Sequence, residues 1–347
     1  MSVKKVVFCN TLSWKVVYAV FTGQGKNCKV EMKYTSGNMF ECNKIPDGYD
    51  SLYFMNEDNI HTVNTSFNEC CFAFKPNGHI FDGIICLQPY VSIPVNKQTK
   101  SVDFIFDGSY SQKVHIWTPS TYDCCDCNKK YGVLYMFDSQ NLFCNDATDY
   151  GSWNVSQIMQ LVGDYIVVGI DNSDSMRDTH LTPDIGKLEP LFEEKFSNGT
   201  GVEFAEFITA QIMPYVNSHY NVYSDKKHTA ICGASSGGLE SFYMGMTYNN
   251  IFGFVGALSP AFTFYSENVW NDFLQKINID KIPNIYLYAG YSDIVEKEIY
   301  PMTKKIYELL KANSRTQNKL VLDFQKENYH NEAGWSSAFI RFTEMLK

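Results

Sequence analysis

The pentapeptide Gly233-Ala234-Ser235-Ser236-Gly237 lies between a short apolar run, Thr229–Cys232, and a helical pattern, Gly238–Tyr248. A G-x-S-x-G segment in that setting asks for a buried strand that turns sharply into a helix, because only very small residues fit two places either side of so tight a bend. Gly233 and Gly237 meet that need for Ser235. Centring the motif on Ser236 puts Ala234 and Gly238 at the flanks, a poorer fit. A serine hydroxyl lifted clear of a sheet in this way can act as a nucleophile.

The rest of the chain divides by texture. Up to about residue 95, short alternating segments (Lys15–Phe21, Lys29–Tyr34, Ser51–Met55, Cys70–Phe74) are separated by Gly, Asn and Pro turns, the pattern of a small antiparallel β-sandwich. Residues 96–347 read differently. Val102–Phe106 and Val114–Trp117 flank a hairpin signal, Asp107-Gly108, and are followed by Val133–Phe137, Tyr165–Ile170, Thr229–Cys232, Phe254–Leu258, Ile285–Ala289 and Leu320–Phe324. Helical patterns at Val155–Leu161, Val202–Tyr220, Gly238–Tyr248, Val269–Ile277, Glu296–Lys311 and Ala333–Leu346 alternate with the later strands. The expected class is α/β, with a mostly parallel eight-stranded sheet covered on both faces.

A net charge of −9 without a basic run excludes nucleic acid as the expected partner, and no stretch of about 18 apolar residues suggests a membrane span. A small or neutral substrate fits better. The first ten residues lack the apolar core of a signal peptide, so a cytoplasmic location with free thiols is expected, although cysteines number 11. Cys124, Cys125 and Cys127, with Cys144, form the one dense cluster. It has neither a second C-x-x-C pair nor a nearby histidine, so no metal is expected. The sequons at Asn64, Asn154 and Asn198 are read as incidental, and no feature sets an oligomeric state.

In open α/β sheets the ligand crevice lies beyond the carboxyl ends of the strands, so a base for Ser235 should come from a loop that follows a strand. Of the seven histidines, His61 and His79 fall in the N-terminal part, His115 inside a strand, His219 at a helix end and His228 ahead of the Ser235 strand. His180 and His330 remain. His330 follows the last strand and precedes the last helix, giving the order Ser, acid, His of the α/β-hydrolase arrangement. The acid is then expected after Ile285–Gly290, at Asp293, with Glu296 as the alternative; Asp293 could instead cap the helix that follows. Acyl transfer also needs two donors for the developing oxyanion. The backbone N–H of Ser236 is one, and the loop Asp138-Ser139-Gln140-Asn141 is expected to supply the other.

These residues, together with Val133–Phe143, Ile166–Asn172 followed by Arg177 and Thr182-Pro183, Met213-Pro214-Tyr215, Gly233–Leu239, Ala257–Phe262 and His330–Trp335, resemble the esterase D and enterochelin-esterase family of α/β-hydrolases. Feruloyl and acetyl-xylan esterases and the mycolyl transferases belong to the same family. The resemblance spans about residues 101–347. It implies a cofactor-free serine esterase with Ser235 as nucleophile, His330 as base, Asp293 as acid, and the Gln140 and Ser236 amides as oxyanion donors. It also implies that Asn141, Arg177 and Trp335 face the substrate. The family usually has Gly where this chain has Ser139. More faintly, Phe72–Gly78 and Phe81-Asp82-Gly83 resemble starch-binding modules, whose paired tyrosines are replaced here by Glu31-Met32-Lys33. The expected substrate is an acylated carbohydrate, a feruloyl or acetyl ester; a siderophore ester is the alternative, and a non-catalytic sugar-binding protein on a hydrolase scaffold is the reading from another class.

Overall fold

A computed structural model describes residues 5–9, 14–34, 39–42, 46–61, 65–66, 84–87, 99–124, 126, 128–143, 152–172, 175–196, 199–278, 281–313 and 318–347. Among the described residues the N-terminal part holds eight strands: β1 (Lys5–Cys9), β2 (Tyr18–Gly23), β3 (Lys26–Glu31), β4 (Lys33–Tyr34), β5 (Met39–Cys42), β6 (Ser51–Met55), β7 (Thr65–Ser66) and β8 (Ile84–Leu87). They form two four-stranded sheets, in the orders β4-β5-β1-β8 and β3-β2-β6-β7. Pairing is antiparallel except between β1 and β8. Val6, Phe8, Phe40 and Cys42 of the first sheet face Ala19, Phe21, Leu52 and Phe54 of the second in one apolar core, so the unit is a sandwich, as its alternation suggests.

Two details go beyond the sequence reading. The segment expected as one strand, Lys29–Tyr34, is split at buried Met32, with β3 in one sheet and β4 in the other. The β2–β3 hairpin turns through Gln24-Gly25, both at positive φ, the backbone that best matches strand twist in a two-residue loop. The expected strand Cys70–Phe74 and the starch-module pattern at residues 72–83 lie outside the described residues.

The second part begins with the hairpin β9 (Thr99–Phe106) and β10 (Tyr110–Trp117), joined through Asp107-Gly108, both at positive φ. There follow β11 (Gly132–Met136), β12 (Tyr165–Ile170), β13 (Thr229–Ala234), β14 (Phe254–Leu258), β15 (Asn284–Ala289) and β16 (Leu320–Phe324). The eight make one sheet in the order β16-β15-β14-β13-β11-β12-β10-β9; β11 to β16 run parallel, and the antiparallel pairs are β9 with β10 and β10 with β12. All eight expected strands are present. β11, β12 and β13 are buried along their whole length, which is why they read as continuous apolar runs.

The helices are α1 (Val155–Val162), α2 (Arg177–His180), α3 (Pro190–Phe196), α4 (Gly201–Phe207), α5 (Met213–His219), α6 (Ser236–Thr247), α7 (Glu267–Lys276), α8 (Ile294–Asn313) and α9 (Glu332–Thr343). One face of the sheet packs through Val133, Tyr135 and Ile231 against Phe204, Leu239, Phe242, Trp270 and Ile306 of α4, α6, α7 and α8. The other packs through Leu134, Met136 and Cys232 against Val155 and Ile158 of α1 and Phe339 and Phe342 of α9. The single helix expected over Val202–Tyr220 contains a π-helical stretch, Ile208–Ile212, between α4 and α5. Pro214 lies just beyond it; proline has no N–H to give to the helix ladder and crowds the carbonyl four residues back, and widening the turn relieves both. No described helix is long and apolar enough to cross a membrane.

α6 carries one unusual residue into this core. Glu240 is fully buried, and neither carboxyl oxygen has a hydrogen-bond partner among the described residues. Burial penalises the charged form and holds its pKa well above the ordinary 4.5. The folded chain therefore keeps a proton that the unfolded chain releases above about pH 4.5, and stability is lost as pH rises from there. Urea titrations of Glu240→Gln and the parent between pH 4 and 8 should give curves that converge in acid. With rising pH the parent should fall behind by up to about 1.4 kcal/mol per pH unit; parallel curves would show that Glu240 ionises freely in the fold.

Candidate active site

Ser235 sits between the end of β13 and the start of α6 with φ 56 and ψ −122, a conformation costly for any residue with a Cβ. Ser236 is the first residue of α6, so the turn centres on Ser235. The surroundings enforce it. A Cβ on Gly233 would collide with the Gly237 carbonyl, and one on Gly238 would come within 2.8 Å of the Leu258 carbonyl oxygen. The Ser235 N–H donates to the Leu258 carbonyl at 3.0 Å, and the Ser235 carbonyl accepts from the N–H groups of Leu239 and Ala261, each at 3.0 Å.

His330, in the loop between β16 and α9, turns its Nε2 to the Ser235 hydroxyl at 3.2 Å. Its Nδ1 faces Oε1 of Glu296 at 3.1 Å. Glu296 is fully buried, and two further donors converge on it: the Gly290 N–H on Oε2 at 2.8 Å and the Ser259 hydroxyl on Oε1. Three donors satisfy the carboxylate at a depth where an unpaired charge would be prohibitive.

Asp293, expected as the acid, does not meet the imidazole with its carboxyl. Its carboxyl is used on backbone: Oδ1 accepts from the Glu296 N–H at 2.8 Å and Oδ2 from the His330 N–H at 2.6 Å. Asp293 caps α8 and ties the His330 loop to that cap. The Asp-x-x-Glu spacing of Asp293 and Glu296 is a capping-box signature, the signal that Asp293 would be consumed by the helix end.

Trp335 is also placed differently from a substrate-facing aromatic. It is buried behind His330, ring edge to ring face at a centroid distance of 5.0 Å, and its indole N–H donates to Ser259 Oγ at 3.1 Å. It backs the imidazole and orients the hydroxyl that serves Glu296. Neither Ser259 nor this role for Trp335 is visible from spacing, because both act through residues distant in sequence.

On the other side of Ser235, the loop after β11 begins at Asp138, in the left-handed region at φ 60, and continues as a single 3-10 turn, Ser139–Asn141. Its first internal bond runs from the Asn141 N–H to the Asp138 carbonyl, so the Gln140 N–H precedes the first hydrogen bond of the turn. The Ser236 N–H, at the first position of α6, likewise has no intrahelical acceptor. Asn172, two residues beyond the end of β12, brackets the loop: its side chain accepts the Asp138 N–H, and its own N–H donates to Gln140 Oε1, each at 3.1 Å. Arg177 is engaged here as well, with Nε and Nη2 on the two carboxyl oxygens of Asp138 at 2.6 and 2.8 Å. Asn141 donates to Glu332 Oε1 at 3.1 Å. Neither side chain is simply open to a substrate. Burial is the main cause that pushes Glu332 up to about 8, with Asp138 adding to the rise and Arg177 opposing it. Among the described residues no cluster of His, Cys, Asp and Glu could hold a metal ion.

Solved structures share this architecture. The enterobactin esterase of Shigella flexneri superposes with a TM-score of 0.56 at 15% identity, covering 96% of this chain and 88% of that one. The BES protein of Bacillus cereus gives 0.56 at 16% identity over 78% of this chain and 99% of its own. In sequence, the chain is 23% identical over 225 residues to YbbA of Bacillus subtilis (strain 168), an uncharacterised protein, covering 62% of this chain and 85% of that one. Residues 110–344, well over half of the chain and including every side chain of the cluster around Ser235, match the Esterase family, and the chain belongs to it.

Proposed function

We propose that the chain is a serine carboxylic-ester hydrolase. The observation that carries this reading is the relay from Ser235 Oγ to His330 Nε2 at 3.2 Å and from His330 Nδ1 to Glu296 at 3.1 Å, with the serine held at φ 56. Ser235 attacks the ester carbonyl as His330 takes its proton. Glu296 fixes the imidazole tautomer and stabilises the imidazolium, and the Ser236 and Gln140 amides receive the oxyanion. His330 then protonates the departing alcohol, and water, deprotonated by the same ring, releases the acid. An imidazole that is already protonated cannot accept, so activity falls in acid.

For the substrate, a siderophore-type ester has the better support. The Shigella flexneri enterobactin esterase matches 96% of this chain, the sandwich included. An acylated carbohydrate was expected partly from aromatics beside the pocket, but Trp335 is buried and bonded to Ser259. Hydrolysis assays over a panel of enterobactin, feruloyl and acetyl esters decide between them: the preferred class should lead in kcat/KM, and a lead for the sugar esters would reverse the ranking.

Ser235→Ala should lose at least ~10³-fold in kcat on p-nitrophenyl acetate and all labelling by a fluorophosphonate. Parental activity in that variant would end the serine reading, and a parent that neither turns over nor labels would favour a binding protein. Glu296→Gln, which keeps shape but loses the charge facing Nδ1, should cost about 10³- to 10⁴-fold in kcat. Asp293→Asn should cost less than ~10-fold, with about 1 kcal/mol of stability lost at the helix cap; the reverse order would restore Asp293 as the acid.

Above about 8, Glu332 ionises beside Asn141 and adds negative charge under the loop that carries Gln140, opposing an oxyanion there. The parent should lose kcat above that pH while Glu332→Gln stays level; identical alkaline limbs would remove Glu332 from the rate.

A further inference from the structure

The two backbone donors assigned to the oxyanion lie on segments with no covalent proximity: Gln140 on the loop after β11, Ser236 at the head of α6. One dipeptide touches both. Arg177 grips Asp138 with a two-pronged pair, and Asp138 in turn accepts from Gln140 Nε2 at 3.3 Å. The next residue, Asp178, accepts the Ser236 hydroxyl on Oδ1 at 3.0 Å. Arg177 Nη1 closes the circuit by donating to the same Asp178 oxygen at 3.0 Å.

We propose that Arg177 and Asp178 are positioning residues that set the spacing between the Gln140 and Ser236 amides, with Arg177 holding the first segment through Asp138 and Asp178 the second through the Ser236 hydroxyl. This deepens the serine-hydrolase reading and rests on it. The guanidinium suits the task because its planar fork meets two carboxylate oxygens in one fixed plane, whereas a lysine would supply a single point of charge. The anchored residue is the one most in need of anchoring. Asp138 stands at φ 60, where a non-glycine residue persists only when its surroundings hold it. Ser236 explains the doubled serine of the motif: Ser235 reacts, and Ser236 offers an amide to the oxyanion and a hydroxyl to the clamp.

A clamp of this kind acts on the transition state, since only there does a charged oxygen lie between the two amides. Arg177→Ala, Asp178→Ala and Ser236→Ala should each lower kcat on p-nitrophenyl acetate by ~10- to 100-fold with KM within about threefold of the parent, as an ångström of misplacement does. Arg177→Lys should recover only part. Affinity for a boronic acid that adds to the serine should fall by the same factor as kcat/KM, a correspondence that general loosening of the fold would not produce. Ser236→Ala deletes one hydroxyl and keeps the backbone amide, so it carries the test even if Arg177→Ala does not fold. Kinetics within threefold of the parent in Ser236→Ala and Asp178→Ala, with Ser235→Ala inactive, would overturn the clamp and leave the serine reading intact. An active Ser235→Ala would overturn that reading first.

Discussion

The close approach of α6 to the ends of β13 and β14 is the constraint on which the site depends. Gly233 and Gly238 have neighbouring backbone where a side chain would begin, and that contact leaves Ser235 no route into the helix except a left-handed turn. The cost of the turn, of order 1–3 kcal/mol, is offset by the large apolar core that fixes the helix on the sheet. Because β11, β13, β14, β15 and β16 run parallel, the segments that leave their carboxyl ends all emerge at one edge. Asp138, Ser235, Ser259, Glu296 and His330 follow five different strands and meet there for that reason.

Three buried glutamates show how surroundings alone divide one residue type. Glu296 is met by three donors, one of them the imidazole. Glu332 has Asn141 as its donor partner and Asp138 among the charges around it, and it holds its proton to about pH 8. Glu240, with no partner at either oxygen among the described residues, is held well above the ordinary carboxylate value by burial alone. Side-chain chemistry is identical in all three; the number of donors supplied at each depth differs.

Much of this was legible in the sequence. Strands buried on both faces read as apolar runs, Asp107-Gly108 marked its hairpin, and the elbow was marked by Gly233 and Gly237, the first of which has no room for a side chain. With Ser235 marked by its motif, His330 followed from the rule that functional loops leave strand ends. What could not be read was which carboxylate turns inward. Asp293 and Glu296 are three residues apart, and only the helix start between them, which claims Asp293 as its cap, decides that Glu296 reaches the ring. Arg177 and Trp335 were seen near the site, but their direction depends on partners far away in sequence, Asp138 and Ser259.

The parallel pairing of β1 with β8 has its own consequence for how the chain assembles. β8 ends the first sheet beside β1, with Lys5 opposite Ile84. That edge cannot form until some eighty intervening residues have left the ribosome, and closing so long a loop is slow. Nascent β1 therefore waits with one flank open, a target for chaperones or for strand exchange between neighbouring chains during synthesis.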